Sequence, residues 1–161
     1  MALEKGAREA AERVIADNRK AFHDYHILET WEAGVALLGT EVKSIREGGV
    51  NLRDSYARLD KGEVWLLNVH ISPYSHRGYA GHEDRRQRKL LLHRDEIRKL
   101  TGKVVEKGLT LVALRMYFKH GRVKVALALV KGKQAHDKRE TIRKREVDRE
   151  TRAAVKERQR R

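Results

Sequence analysis

The chain has 161 residues, 37 of them Lys or Arg against 23 Asp or Glu, for a net charge of +14. That length suits one domain with one core, and a charged fraction of 37%, against the usual quarter, points to an anionic partner. The lack of cysteine excludes a disulfide scaffold, a thiolate zinc site and a cysteine nucleophile. The longest apolar run, Val125–Val130, is far short of the roughly 20 residues that span a bilayer.

Glu4, Glu9 and Glu12, with no apolar stretch among them, argue against a secretory signal, so a cytoplasmic protein is expected. Ala10, Ala11, Val14 and Ile15 recur at helical spacing and predict a short helix over 7–17 that ends near Asn18. Residues 1–17 therefore read as an N-terminal segment and 18–130 as the folded body. Tyr25, Ile27 and Trp31 share one face of a strand, and Glu32-Ala33-Gly34 reads as a turn into the apolar run Val35–Leu38. Thr40 suits an N-cap, Val42 and Ile45 sit three apart and Gly48 suits a stop, which predicts a helix over 41–47. Asp60-Lys61-Gly62 joins Tyr56–Leu59 to Val64–Ile71 in a hairpin, with Trp65, Leu67, Val69 and Ile71 on one face.

Pro73–Asp84 is turn-rich and expected to be an exposed loop. Past Leu90-Leu91-Leu92, a helix is expected from Arg94 to Gly102 with Asp95 and Glu96 in its first turn and His93 as its N-cap. His120-Gly121 links Val112, Leu114, Met116 and Phe118 to Val123, Val125, Leu127 and Leu129 in a second hairpin. The sum is mainly β with short helices: a six-stranded antiparallel closed barrel, since closure removes exposed sheet edges. Trp31 and Trp65 read as core.

Enzymatic signatures are missing. There is no phosphate-binding glycine loop, no G-x-S-x-G and no H-E-x-x-H, so neither catalysis nor a cofactor is expected. The eight histidines form no ligand-spaced cluster beyond His76 and His82, so no metal is expected. Gly78-Tyr79-Ala80-Gly81 has the form of a GXXG loop but lacks flanking helices and reads as a loop tip. What remains is basic groups beside rings: Arg19 and Lys20 near Phe22, His23, Tyr25 and Trp31, and Arg85, Arg86, Arg88 and Lys89 near Tyr79 and His82. Cations neutralise phosphates and rings stack on unpaired bases, so structured RNA with exposed loops is the partner these patches fit.

Residues 131–161 form a basic tail with 13 Lys or Arg, 6 Asp or Glu and no aromatic. Six apolar residues cannot offset the entropy of ordering it, yet Glu140–Lys144, Asp148–Arg152 and Glu157–Arg161 are acid-before-base pairs at helical spacing. A tail disordered in the free protein and helical on a polyanion is expected.

Six segments follow one another along the chain: Asn18-Arg19-Lys20-Ala21, Trp31-Glu32-Ala33-Gly34, Gly39-Thr40-Glu41-Val42-Lys43-Ser44, Asp54-Ser55-Tyr56-Ala57, Arg88-Lys89-Leu90-Leu91-Leu92 and Gly132-Lys133-Gln134-Ala135-His136-Asp137-Lys138-Arg139. In their order and spacing, over roughly residues 15–145, the chain resembles the SsrA-binding protein (SmpB) family. The resemblance implies an OB-like barrel that grips the tRNA-like domain of tmRNA, partners the ribosome chiefly through small-subunit RNA, and meets elongation factor Tu indirectly through tmRNA. It implies a monomer, with no membrane association. Its RNA-binding residues would be Asn18, Lys20, Tyr25, Glu32, Lys43, Arg46, Arg88, Lys89, Leu91 and His93, where Glu32 takes the family's acidic position in a hairpin turn and His93 replaces a common asparagine. The ribosome-binding tail would use Lys131, Lys133, His136, Asp137, Lys138, Arg139, Arg143, Lys144 and Arg145, with His136 suited to stacking on a ribosomal base. Two other readings fit the charge: a general RNA chaperone of the same fold, and an RNA-processing enzyme using histidines and carboxylates.

Overall fold

The computed structural model describes residues 12–74, 81–105, 109–133 and 135–160. In order, these form β1 (Glu12–Asp17), α1 (Arg19–Asp24), β2 (Tyr25–Val35), α2 (Gly39–Arg46), β3 (Val50–Asn51), β4 (Tyr56–Asp60), β5 (Glu63–Leu67), β6 (His70–Ile71), β7 (Arg88–Leu91), α3 (Arg94–Val104), β8 (Leu109–Lys119), β9 (Arg122–Gly132) and α4 (Ala135–Arg160). Both hairpins form where expected. Lys61-Gly62 and His120-Gly121 have positive φ at each position, 49° then 75° in both turns, the backbone that a two-residue hairpin needs to match strand twist.

Six strands close on themselves in the order β8-β4-β5-β7-β2-β9, with β9 returning to β8 and every neighbour antiparallel. This is the six-stranded ring expected from the sequence, although its membership differs. The sixth strand is Arg88–Leu91, which read as a lead-in to a helix, and not Val35–Leu38. β2 runs straight through Glu32-Ala33-Gly34, so these residues make no turn. Ala33 is wholly buried, and a Cβ at Gly34 would stand 3.3 Å from that of Leu91 across the strand pair. The glycine therefore marks a close approach of two strands.

Residues 12–17 are likewise a strand and not the end of a helix over 7–17; residues 7–11 lie outside the described residues. β1 pairs with the far half of β8, Glu12 opposite Lys119 to Asp17 opposite Arg115, a stretch that β4 leaves open because it meets β8 at Ala57–Leu111. A bulge between Val14 and Ala16 lets consecutive residues Ile15 and Ala16 both pack on the core, which imitates helical spacing in the sequence.

Two more phase shifts hide in apparently regular runs. Asn68 adopts φ +63°, so Val64 and Leu66 face inward before it and Val69 and Ile71 after it; Trp65 and Leu67 do not share their face. In β8 a bulge between Ala113 and Arg115 turns Leu111, Ala113 and Met116 to the barrel core and Val112 and Leu114 to a smaller cluster with Ala21, Ala128 and Val130. α2 adds Ile45 to the core and α3 adds Leu100.

Helix ends follow their caps. α2 starts at Gly39 and not after Thr40, because the Leu38 N–H donates to the Glu41 carboxylate, 3.1 Å; Gly48 then terminates the helix at φ +81°. α3 begins after His93 as expected but continues past Gly102 to Val104. Residues 75–80, which hold most of the GXXG segment and His76, lie outside the described residues. Within the expected exposed loop, His82 is buried, its ring between the Thr40 hydroxyl at 3.0 Å and the Ile71 carbonyl at 3.1 Å.

α4 is exposed along almost its whole length, and its mooring lies at its root. The Lys133 N–H donates to the Asp24 carbonyl (2.9 Å), the Lys133 ammonium to the Phe22 carbonyl (3.3 Å) and the Thr141 hydroxyl (3.1 Å), and Lys138 pairs with Asp24 at 3.7 Å.

Candidate nucleic-acid interface

Strand alternation sorts the basic residues. Along β9, Val123, Val125 and Leu127 point into the core and Arg122, Lys124 and Ala126 point away from it. Lys124 stands opposite Gly34 of β2 and Tyr117 of β8, Ala126 opposite Glu32, and Gly34 opposite Leu91 of β7. One outer face thus carries Tyr117, Lys119, Arg122, Lys124, Glu32, Leu91 and Lys89. A hollow on it is lined by Gly34, Leu37, Val42, Leu91, Arg122 and Lys124. Leu91 is 52% exposed there, an apolar anchor in a cationic surround.

Glu32 is the fixed point of this face. Its carboxylate accepts from the Tyr117 hydroxyl at 2.6 Å and the Lys119 ammonium at 3.0 Å. Burial pushes its pKa up, but those two hydrogen bonds and the Lys119 and Lys124 charges outweigh it, and the carboxyl lies below its ordinary range. Burial and the same carboxylate push the Tyr117 hydroxyl far up, so Glu32 stays ionised and Tyr117 stays a donor. A held carboxylate on a basic face presents acceptors to base or ribose donors and leaves the surrounding cations for phosphates.

Arg88, expected at the RNA, is buried within the fold. In β7 it shares the inward phase of Leu90, and it has no exposure. Its guanidinium donates to the Glu41 carboxylate (3.2 Å) and to the carbonyls of Val69, Arg86, Glu83 and Asp84 (2.9 to 3.4 Å). Glu41, also unexposed, accepts from Arg86 at 2.7 and 2.9 Å. Burial pushes Glu41 up, yet the Arg86 hydrogen bonds, the Leu38 N–H and Arg88 hold it below its ordinary range. Lys89, one residue on, faces outward with its ammonium on Glu63 at 2.9 Å.

Asn18 is also buried, and its side chain is used within the fold: the amide donates to the Leu52 and Ala113 carbonyls (3.2 and 2.9 Å) and the oxygen caps α1 at the Ala21 N–H. Lys20 and Tyr25 line a groove beside it, well away along β2 from Glu32. Lys43 and Arg46 are carried on α2, Lys43 over the Tyr74 ring at 5.4 Å. His93 makes no side-chain cap bond; Glu96 accepts its N–H at 3.0 Å. Lys131, Arg139, Arg143, Lys144 and Arg145 are exposed, and Lys133 and Lys138 moor the helix root. The side chains of His136 and Asp137 lie outside those described. Lys119, Arg122 and Lys124, which the basic runs of the sequence do not single out, join the outer face through the polar phase of the β8–β9 hairpin.

The sequence model for "SmpB protein" matches residues 15–157. The chain belongs to the SmpB family. An SsrA-binding protein of Trichodesmium erythraeum is 62% identical over 147 residues, covering 91% of this chain and 94% of that protein. One of Carboxydothermus hydrogenoformans is 58% identical, covering 91% and 99%. A solved structure described as "tmRNA-SmpB: a journey to the center of the bacterial ribosome" superposes with a TM-score of 0.65 at 53% identity, over 80% of this chain and 94% of that one. The SmpB match reaches deep into α4, beyond the end of the residues that carry the family resemblance in the sequence. Among the described residues no helix is long and apolar enough to cross a membrane.

Proposed function

We propose that the protein binds the tRNA-like domain of tmRNA through its outer barrel face and delivers the alanyl-tmRNA, with elongation factor Tu, to ribosomes stalled without a codon. The observation that carries the reading is the held carboxylate of Glu32 beside exposed Leu91 on a face otherwise lined by Lys89, Lys119, Arg122 and Lys124. Such a face suits a folded RNA whose loops offer base edges and whose backbone supplies phosphates. His93, two residues beyond Leu91, completes that edge. The protein is a binding adaptor in this reading, and its chemistry is recognition.

The tail supplies the second half. Free in solution it exchanges between coil and helix, because few apolar groups reward its ordering; inside the empty mRNA channel the polyanionic wall holds it helical, with Lys131, His136, Asp137, Lys138, Arg139, Arg143, Lys144 and Arg145 against small-subunit RNA. Family membership up to residue 157 and the exposure of α4 support this division. The test is truncation after Lys133. Affinity for tmRNA over a tRNA competitor at physiological salt should stay nearly intact while tagging of stalled peptides is lost. Equal affinity for tmRNA and unrelated structured RNA would favour a general RNA chaperone instead.

A further inference from the structure

β7 is four residues long, and its pattern does not say which way it faces. Arg88-Lys89 is followed by Leu90-Leu91-Leu92, so a shift of one residue exchanges base for base and leucine for leucine. Such a shift turns every side chain of a strand to the other side of the sheet. Leu91 would take the interior place of Leu90, Leu92 the outer place of Leu91, and Lys89 the place of Arg88. Apolar burial would hardly change. Gly34, opposite Leu91, has no side chain with which to discriminate between leucines. The ladder is short as well, with three pairs to β5 (Val64–Leu90, Trp65–Lys89, Leu66–Arg88) and two to β2 (Gly34–Leu91, Val35–Leu90).

One frame is nevertheless occupied, with Leu90 buried and Leu91 exposed. What differs between the frames is the basic residue drawn inside. Arg88 fills its site with a planar fork: Nε reaches the Glu41 carboxylate, Nη1 the carbonyls of Val69 and Arg86, and Nη2 those of Glu83 and Asp84. These acceptors lie on α2, on the link between β5 and β6, and on the segment that leads into β7. A lysine in the same place carries its donors on one nitrogen and cannot span them. The acceptors it missed would stay buried and unpaired, a cost that the matching leucines do not offset. A shift in the other direction would put Lys89 at the buried place of Leu90, which desolvation of the ammonium forbids without any further device.

We propose that the buried Arg88–Glu41 pair selects the register of β7, and that guanidinium against ammonium is the distinction that separates the two frames. Arg88 is thereby a positioning residue for the outer face: it touches no partner, and it keeps Lys89 and Leu91 turned outward. Fixing registry is the best-attested use of a buried polar or ionic group. The chain has slack for the shift at both ends of the strand. His93 makes no side-chain cap bond at the start of α3, and residues 81–87 form neither helix nor strand. The consequence for function rests on the outer-face reading above; the choice of register does not.

The experiment is methyl NMR of the full chain, reading which leucine of β7 lies against Val35 and Val64. The parent should show one set of signals, with Leu90 on both valines. Lys89→Arg leaves Arg88 in place and keeps the charge, yet both frames then offer an arginine to Glu41. A second set, with Leu91 on the two valines, is expected. The exchange Arg88→Lys with Lys89→Arg, which alters no composition, should make that second set the major one. Affinity for tmRNA should fall with the share of the native frame, about twofold where the two frames are equal and further for the exchange. A single native set in either variant overturns the proposal; if the exchanged chain does not fold, Lys89→Arg decides alone. A shifted frame with tmRNA affinity unchanged would confirm the register device and count against the outer-face reading.

Discussion

Arg88 and Lys89 are adjacent, equally basic and opposite in consequence. Replacing Arg88 by Met removes the donors that satisfy five acceptors, one of them the unexposed carboxylate of Glu41. Breaking one side of a buried ion pair costs about 3–5 kcal/mol. Arg86 remains on Glu41 at 2.7 Å, so the lower end applies, about 3 kcal/mol. For a chain of this size that is a fall of roughly 6–12 °C in melting temperature. Lys89→Ala loses one half-exposed pair with Glu63, worth at most about 1 kcal/mol, and should shift melting by no more than about 4 °C. It should instead flatten the dependence of log affinity for tmRNA on log salt by about one unit. Thermal unfolding by circular dichroism and RNA binding across a salt series, well below both midpoints, separate the two effects. An Arg88→Met protein that melts with the parent and loses the same unit of salt slope as Lys89→Ala would refute the burial argument.

Glu41 also contributes to acid sensitivity. Its carboxyl lies below its ordinary value of 4.5 in the folded chain, so its contribution is complete above that value and is lost as pH falls through the lower folded one. Glu41→Gln should lower the midpoint at pH 7, and the two melting curves should converge as the pH drops below about 4.5; a constant gap across that window would assign the acid sensitivity elsewhere. At His93, where the cap position lacks a side-chain bond, asparagine should add about 0.5–1 kcal/mol and raise the melting temperature by roughly 1–4 °C, read by the same assay; a clear fall would show that the imidazole serves the fold.

Local chemistry made much of this fold legible. Lys61-Gly62 and His120-Gly121 carry the backbone preference of their turns on their own, and the acidic first turn after His93 marks where α3 begins. What escaped was set by partners distant in the chain. β1 looked helical because the reason for its shape, the open half of β8, lies about a hundred positions away. Asn68 and the bulges in β1 and β8 each displace the alternation by a single residue, and period counting across them assigns the wrong side to half a run. The same limit governed the interface. Lys89 and Leu91 face outward as a partner-binding strand requires, but their neighbour Arg88 belongs to the interior, and only strand phase, once Leu90 is known to be buried, divides the basic run. Arg122 and Lys124 alternate with the core residues Val123 and Val125, so the period that marks the apolar side of the hairpin marks its cationic side as well.

The mooring of α4 has a mechanical corollary. Twenty-six residues of helix extend about 39 Å, while the bonds that hold it to the body cluster around Asp24, Phe22 and Thr141. A tilt of about 10° at that pivot swings the far tip by roughly 7 Å. The barrel thus chooses where this lever starts, and whatever surrounds it chooses where it points.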